Sequence, residues 1–355
     1  MKPCVQCGEK FEPVSFRHSY CSPRCGDDFR SGKSPEHSIR RRVTGFAWDP
    51  VHRAAPTAVP AAKALKPRKV KTALILPDPQ IGFRRTDDDT FEPFHDDSAL
   101  AACLALASDL TLDKIVWLGD FLDLPAFGRY RQEPGFAQTT QRGVDAGYQW
   151  LARFRPLAQE MVLIEGNHDA RLHNWIVDNA KAAAGLRVAG AAAPSWPVLT
   201  VPYLLRCDEL GVEYVGGYPS GVHYLTDQLA CIHGVVVKSS GQSTAAYLAN
   251  REAVSVIFGH VHRRETHWHT SNARGRAVQV MAHSPGTLSR IDGAVPSVSS
   301  ALDLRTGQRQ RHWEDWQQGC TVVEYSEDGS FTIEPVAIDD GRLTYRGTHY
   351  GPCKL

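Results

Sequence analysis

Val70-Lys71-Thr72-Ala73-Leu74-Ile75-Leu76-Pro77-Asp78-Pro79-Gln80 is the stretch from which the fold is read. Thr72 to Leu76 is a short apolar run stopped by two prolines around an acid, as a buried strand ending in a loop would be. The same order recurs downstream. His95-Asp96-Asp97-Ser98 offers N-caps to a helix whose Leu100, Cys103, Leu104 and Ala107 recur at helical spacing. Lys114 to Leu118 is the next strand and Gly119-Asp120 follows it directly. Thr139 to Arg153 reads as a second helix, and Met161 to Ile164 as a strand running into Gly166-Asn167-His168-Asp169. Leu229 to Ile232 precedes His233-Gly234, and Val254 to Phe258 precedes Gly259-His260-Val261-His262. Strand, helix, strand in succession implies parallel pairing and an α/β fold. Ala277 to Met281 and a hairpin around Glu327-Asp328-Gly329-Ser330 read as further strands.

Each of the five polar clusters stands after a strand, where the loops of α/β sheets converge and ligands bind. Carboxylate, amide and imidazole are the groups that hold catalytic divalent metals, and five separated clusters are far harder to obtain by chance than one. A single Gly-Asp or Gly-His pair means little in a loop; the set together reads as a two-metal phosphoester-cleaving site.

The clusters Asp78-x-Gln80, Gly119-Asp120, Gly166-Asn167-His168-Asp169, His233 and Gly259-His260-x-His262 resemble the motifs of calcineurin-like metallophosphoesterases over residues 72 to roughly 290. The resemblance departs at Gln80, where the family has histidine, and an Asp-x-Gln opening is similar to that of phage- and prophage-type members. It implies a four-layer α/β/β/α sandwich of two mixed sheets with the metals at one edge. It implies that Asp78, Gln80 and His262 hold a first metal, that Asp120 bridges, and that Asn167, His233 and His260 hold a second. His168 would contact the phosphate and protonate the leaving oxygen, and Asp123 would orient it. An amide oxygen at Gln80 favours oxygen-loving cations, so Mn or Mg is expected, with Fe or Zn as alternatives. Ser284-Pro285-Gly286-Thr287 resembles the turn after the family's last ligand, with His283 close by.

Around this domain the chain changes character. Cys4-x2-Cys7 and Cys21-x3-Cys25 can place four thiolates around one structural zinc, and so short a unit would take its folding energy from the metal. Residues 26 to 70 contain Arg40-Arg41-Arg42 and Lys66-Pro67-Arg68-Lys69 among prolines and read as a basic flexible linker. Up to Lys71 the chain carries 15 Lys and Arg against 6 Asp and Glu, a balance of +9, and the remainder is at −8. The organisation expected is a zinc-ribbon-like knuckle at 1–25, the linker at 26–70 and the phosphoesterase domain at 71–355, with residues 300–355 inside it. A 355-residue chain at 42% hydrophobic content can bury a sizeable core. Neither a signal-length apolar start nor a spanning-length apolar run occurs, so a cytoplasmic protein without a membrane partner is expected.

A basic arm before an acidic body suits a polyanion, so the leading expectation is a phosphodiesterase or nuclease acting on nucleic acid or nucleotides. A phosphomonoesterase on phosphoprotein or a small metabolite is the alternative, and a nucleic-acid or protein-binding adaptor with a weakened metal site is another. Asp123 is followed by Leu124-Pro125 rather than by Arg-Gly, which disfavours a protein phosphatase. Arg84, Arg85 and Arg263 are candidate phosphate contacts, and Trp268, between His267 and His269, is a candidate base-stacking surface.

Overall fold

The chain divides in the computed structural model into two units, Met1–Ala54 and Ala55–Leu355. The residues described are 2–3, 10–11, 60–86, 90–129, 134–191, 194–238, 242–273, 275–296 and 314–351. In the first unit β1 (Lys2–Pro3) and β2 (Lys10–Phe11) pair antiparallel. Cys4, Cys7, Cys21 and Cys25, expected to hold zinc, lie outside the described residues, as do residues 26–59 of the expected linker.

The second unit opens with β3 (Val70–Leu76) and a small hairpin of β4 (Phe83–Arg85) and β5 (Phe91–Pro93). Then come α1 (Asp97–Asp109), β6 (Leu112–Trp117), α2 (Thr140–Phe154), β7 (Ala158–Ile164) and α3 (Ala170–Asn179). Two short helices, α4 (Val201–Leu204) and α5 (Cys207–Leu210), lead to β8 (Val212–Val215). After β9 (Val222–Thr226) and β10 (Leu229–Ile232) come α6 (Thr244–Ala249), β11 (Ser255–Phe258), β12 (Arg264–Ala273) and β13 (Arg276–Pro285). Last are β14 (Gly319–Ser326), β15 (Phe331–Asp339), β16 (Arg342–Tyr345) and β17 (Thr348–Tyr350).

This is a mixed α/β architecture with two large sheets. One has the order β17-β16-β15-β14-β3-β6-β7-β8, the other β12-β13-β11-β10-β9. Strands β3, β6, β7 and β8 run parallel, and β14 joins β3 antiparallel. In the smaller sheet β10, β11 and β13 are parallel, with β9 and β12 antiparallel at the edges. Ala73, Ile75, Val116, Val162 and Val323 of the first sheet share one buried cluster with Leu229, Cys231, Ile257 and Met281 of the second. The sheets therefore bury their inner faces against each other, and this burial is the largest stabilising contribution the fold shows. Ala230, Val256 and Phe258 pack outward on Ala245, Leu248 and Ala249 of α6, and Trp117 packs edge to face on Phe121 and on Phe154 of α2. Burial on both faces explains why the central strands read as unbroken apolar runs.

Local signals explain several boundaries. Asp96 caps α1, its carboxylate accepting from the amides of Ser98 at 2.9 Å and Ala99 at 3.1 Å. β13 runs longer than expected because it pairs with β12 through ten residue pairs. Residues 314–351 supply β14 to β17, half of the larger sheet. Ahead of β3, Lys63 donates its amide to Ala158 O of β7 at 3.2 Å and Arg68 pairs with Asp113 of β6, so the described end of the basic segment lies along the domain. Among the described residues no helix is long and apolar enough to cross a membrane.

Candidate metal centre

The five clusters follow the carboxyl ends of β3, β6, β7, β10 and β11. Their loops are laced together by main-chain bonds: Gln80 N donates to Asp120 O at 2.9 Å, and Gly259 N to His233 O at 3.0 Å. Asp78, Gln80, Asp120, His260 and His262 all take positive φ, between 40° and 70°. Each such residue stores strain of about 1–3 kcal/mol, and their gathering at one place marks a site built against local preference. Gly259 is required here because a Cβ would collide with the Asp78 carboxylate; Gly119, at φ +92°, would press one on His233.

Two donor groups share Asp120: Asp120 with His233 and His260, and Asp78 with Asp120 and His262, each with its donor atoms within 4.8 Å of one another. His233 Nε2 lies 3.3 Å from Asp120 Oδ1, and His262 Nε2 lies 3.5 Å from Asp78 Oδ1. His233 Nδ1 donates to Leu118 O at 2.8 Å, which turns Nε2 toward Asp120 and toward Asn167 Oδ1, 3.0 Å away. Burial opposes charge on His233, yet Asp120 and Asp78 raise it to about 9, so this pocket attracts positive charge. His260, half-buried, is lowered to about 4 by burial and by His233.

The residues fit a pair of cations on a further count. Asp78 Oδ2, Gln80 Oε1 and His262 Nδ1 are buried and have no hydrogen-bond partner. An unsatisfied buried polar atom costs about 1–3 kcal/mol, which coordination would offset. Gln80 Nε2 faces His262 Nε2 at 3.4 Å, leaving the amide oxygen as the group able to ligate.

Beside the shared carboxylate, His168 Nδ1 donates to Asp123 Oδ1 at 2.6 Å, and Nε2 lies 3.7 Å from Asp120 Oδ2. Three contributors escape sequence reasoning. Arg171 donates to His168 Nε2 at 2.9 Å and to Asp123 O at 2.6 Å. Asp169 accepts from the amides of Phe121, Leu122 and Gly166 at 2.9–3.2 Å, clasping two ligand loops, and its burial pushes the carboxyl up to about 7. Trp316 sets its ring edge to face on His262, 4.4 Å between centroids, and Gln317 N donates to His262 O at 2.9 Å. The helical spacing of Arg171 from the Gly-Asn-His-Asp cluster is a usable signal; nothing in the sequence points to Trp316.

The chain matches no family model. Gene 54 protein of Mycobacterium phage D29 is 26% identical over 228 residues, which cover 61% of this chain and 86% of that protein. The crystal structure of TT1561 of Thermus thermophilus aligns over 69% of this chain and 99% of that one, at 14% identity and a TM-score of 0.25. The sequence thus has a phage relative, and the buried Asp and His groups are compatible with metal-dependent phosphoester chemistry.

The expected substrate contacts are placed differently from the ligands. Arg84 donates to Glu92 at 3.1 Å and to Ala294 O at 3.3 Å while lying over Phe94, and Arg263 donates to Glu265 at 2.9 Å and to Lys238 O at 3.2 Å. Both guanidiniums thus serve the fold. Arg85 is exposed at the end of β4. Trp268 is exposed on β12 opposite Met281. His283 gives both ring nitrogens to Thr266 and Thr321, at 2.8 and 2.6 Å. Cys103, Cys207, Cys231 and Cys320 are buried free thiols.

Proposed function

We propose that this chain is a dinuclear metal-dependent phosphoesterase of the calcineurin-like type that hydrolyses phosphodiester bonds in nucleic acid or nucleotides. The observation that carries the reading is the convergence of two carboxylate and imidazole groups on Asp120, with the Asp123-held His168 beside it. The phage relative accords with the phage-type first motif Asp78-Pro79-Gln80. In this reading the two sheets and their outer helices form a four-layer α/β/β/α sandwich.

Asp78, Gln80, Asp120 and His262 would hold one cation, and Asp120, Asn167, His233 and His260 the other. A divalent pair supplies charge neutralisation at the phosphoryl oxygens and a water acidified toward neutral pH. The protein's own part is positional. Asp123 fixes the His168 ring through Nδ1, so that Nε2 faces the pocket and can pass a proton to the departing oxygen. With Nδ1 donating to Asp123, Nε2 accepts from Arg171 and carries no proton in this arrangement; an incoming phosphate that draws the guanidinium away would free Nε2 to take a proton from water, and that proton is the one passed to the departing oxygen. The zinc knuckle at 1–25 and the basic segment to residue 70 would tether the polyanion through phosphate contacts.

The test measures metal content, then turnover of an aryl diester, an aryl monoester, and single- and double-stranded DNA and RNA with Mn or Mg. Diester and nucleic-acid cleavage abolished by Asp120→Ala or His168→Ala is expected. Monoester-only turnover, or inactivity with every metal, would sink the reading.

A further inference from the structure

Arg171 and Trp175 stand one turn apart on α3, the helix that begins directly after the Gly166-Asn167-His168-Asp169 loop. The guanidinium reaches His168 Nε2 and Asp123 O. The indole meets Phe127 edge to face, 5.6 Å between centroids, and Phe127 closes the short turn Pro125–Phe127 four residues beyond Asp123. Cation and aromatic therefore each touch one segment, Asp123 to Phe127, the cation at its Asp123 end beside His168 and the aromatic at its Phe127 end, and the two side chains form a ledge along it.

Burial does not account for the indole. Leu172 and Ile176 supply the buried side of α3, whereas Trp175 is 41% exposed among exposed His173, Asn174 and Asp178. A large aromatic that meets Phe127 yet stays exposed offers a stacking surface. Stacking of a base on an aromatic ring is favourable whatever the base, and Arg171 one turn away supplies a cation for the phosphate that a nucleotide carries.

We infer that this ledge is a nucleoside subsite in which Arg171 contacts a phosphate oxygen and the nucleobase stacks on Trp175. The inference rests on the phosphodiesterase reading and narrows its substrate to esters that carry a nucleoside. It moves the stacking surface from Trp268, which stands on β12 within the β12–β13 ladder, to α3 beside His168.

The test is calorimetric titration of the full-length protein, with and without Mn, using adenosine 5′-monophosphate, ribose 5-phosphate and inorganic phosphate as probes. The nucleotide is expected to bind about 5- to 100-fold more tightly than ribose 5-phosphate. Trp175→Ala should erase that difference while leaving inorganic phosphate affinity intact, Trp175→Phe should retain most of it, and Tyr224→Ala, which removes an exposed aromatic on β9, should retain all of it. Equal affinities for the two probes in the unaltered protein, or an undiminished difference in Trp175→Ala, would overturn the subsite. Should Trp175→Ala not fold, the two-probe comparison and Trp175→Phe still decide. Diester turnover without base-dependent binding would reject the subsite alone. Base-dependent binding without diester turnover would reject the catalytic reading and leave the subsite standing.

Discussion

At Gln80 an amide sits where the resemblance calls for imidazole, and its oxygen is buried without a partner. An amide oxygen is a harder and weaker donor than imidazole, so Gln80→His should raise zinc affinity relative to Mn by about tenfold in a competition with a chromophoric chelator. An unchanged ratio would remove Gln80 from the ligand set. Asp169 poses a second test at this scale. It accepts three loop amides, so Asp169→Ala leaves three buried donors unsatisfied and should cost about 3 kcal/mol or more by denaturant unfolding. A loss under about 1 kcal/mol would show that the loops are held by other means. The ligand letters are readable because carboxylate, amide and imidazole recur at loop positions after strands. Asp169 stays hidden because an acid after Asn-His reads as part of the motif, and its clasp on Phe121 and Leu122 exists only once β6 and β7 are paired.

The elements show the same division. β3, β6, β7, β10 and β11 are legible as apolar runs, and α1 by its Asp96 cap, because these signals are local. The edge strand β9, with Val222 and Tyr224 in water, shows no buried run and gives no such signal. Nor do β16 and β17, short strands whose pairing depends on neighbours. The loop between β11 and β12 offers a test of how closely element and site are matched. Gly259→Ala would force the β11 loop away from Asp78, so bound metal measured by atomic absorption should fall at least several-fold while far-ultraviolet dichroism stays unchanged. Full metal content in that variant would show the loop to be compliant. The cap gives a comparable test, because Asp96→Ala removes the two amide bonds at the helix start and the bond from the buried Gln318 Nε2 at 3.0 Å, and should cost about 2 kcal/mol.

The molecule as a whole buries neutral histidines away from the metal site. Burial lowers His283 to about 4, with Arg264 adding to the effect, and lowers His223 to about 4, with Lys114 adding to it. The folded state therefore declines protons that the unfolded chain accepts below the ordinary histidine value of 6.5, so their stabilising contribution is present above pH 6.5 and lost as pH falls toward 4. The stability advantage of the unaltered protein over His283→Asn should shrink across that window, followed by thermal unfolding; a constant difference would mean that His283 titrates normally. The two-sheet architecture comes within reach of the sequence through its parallel strands, but the pairing of β3 with β14 does not, because nothing local links residues so far apart.

That pairing has a consequence for how the protein is made. A ribosome delivers β14 only about 240 residues after β3, so the nascent chain carries a bare, apolar strand edge throughout that interval. Chains released before Gly319 would keep that edge and tend to aggregate, which makes delivery of β14 the event that covers it.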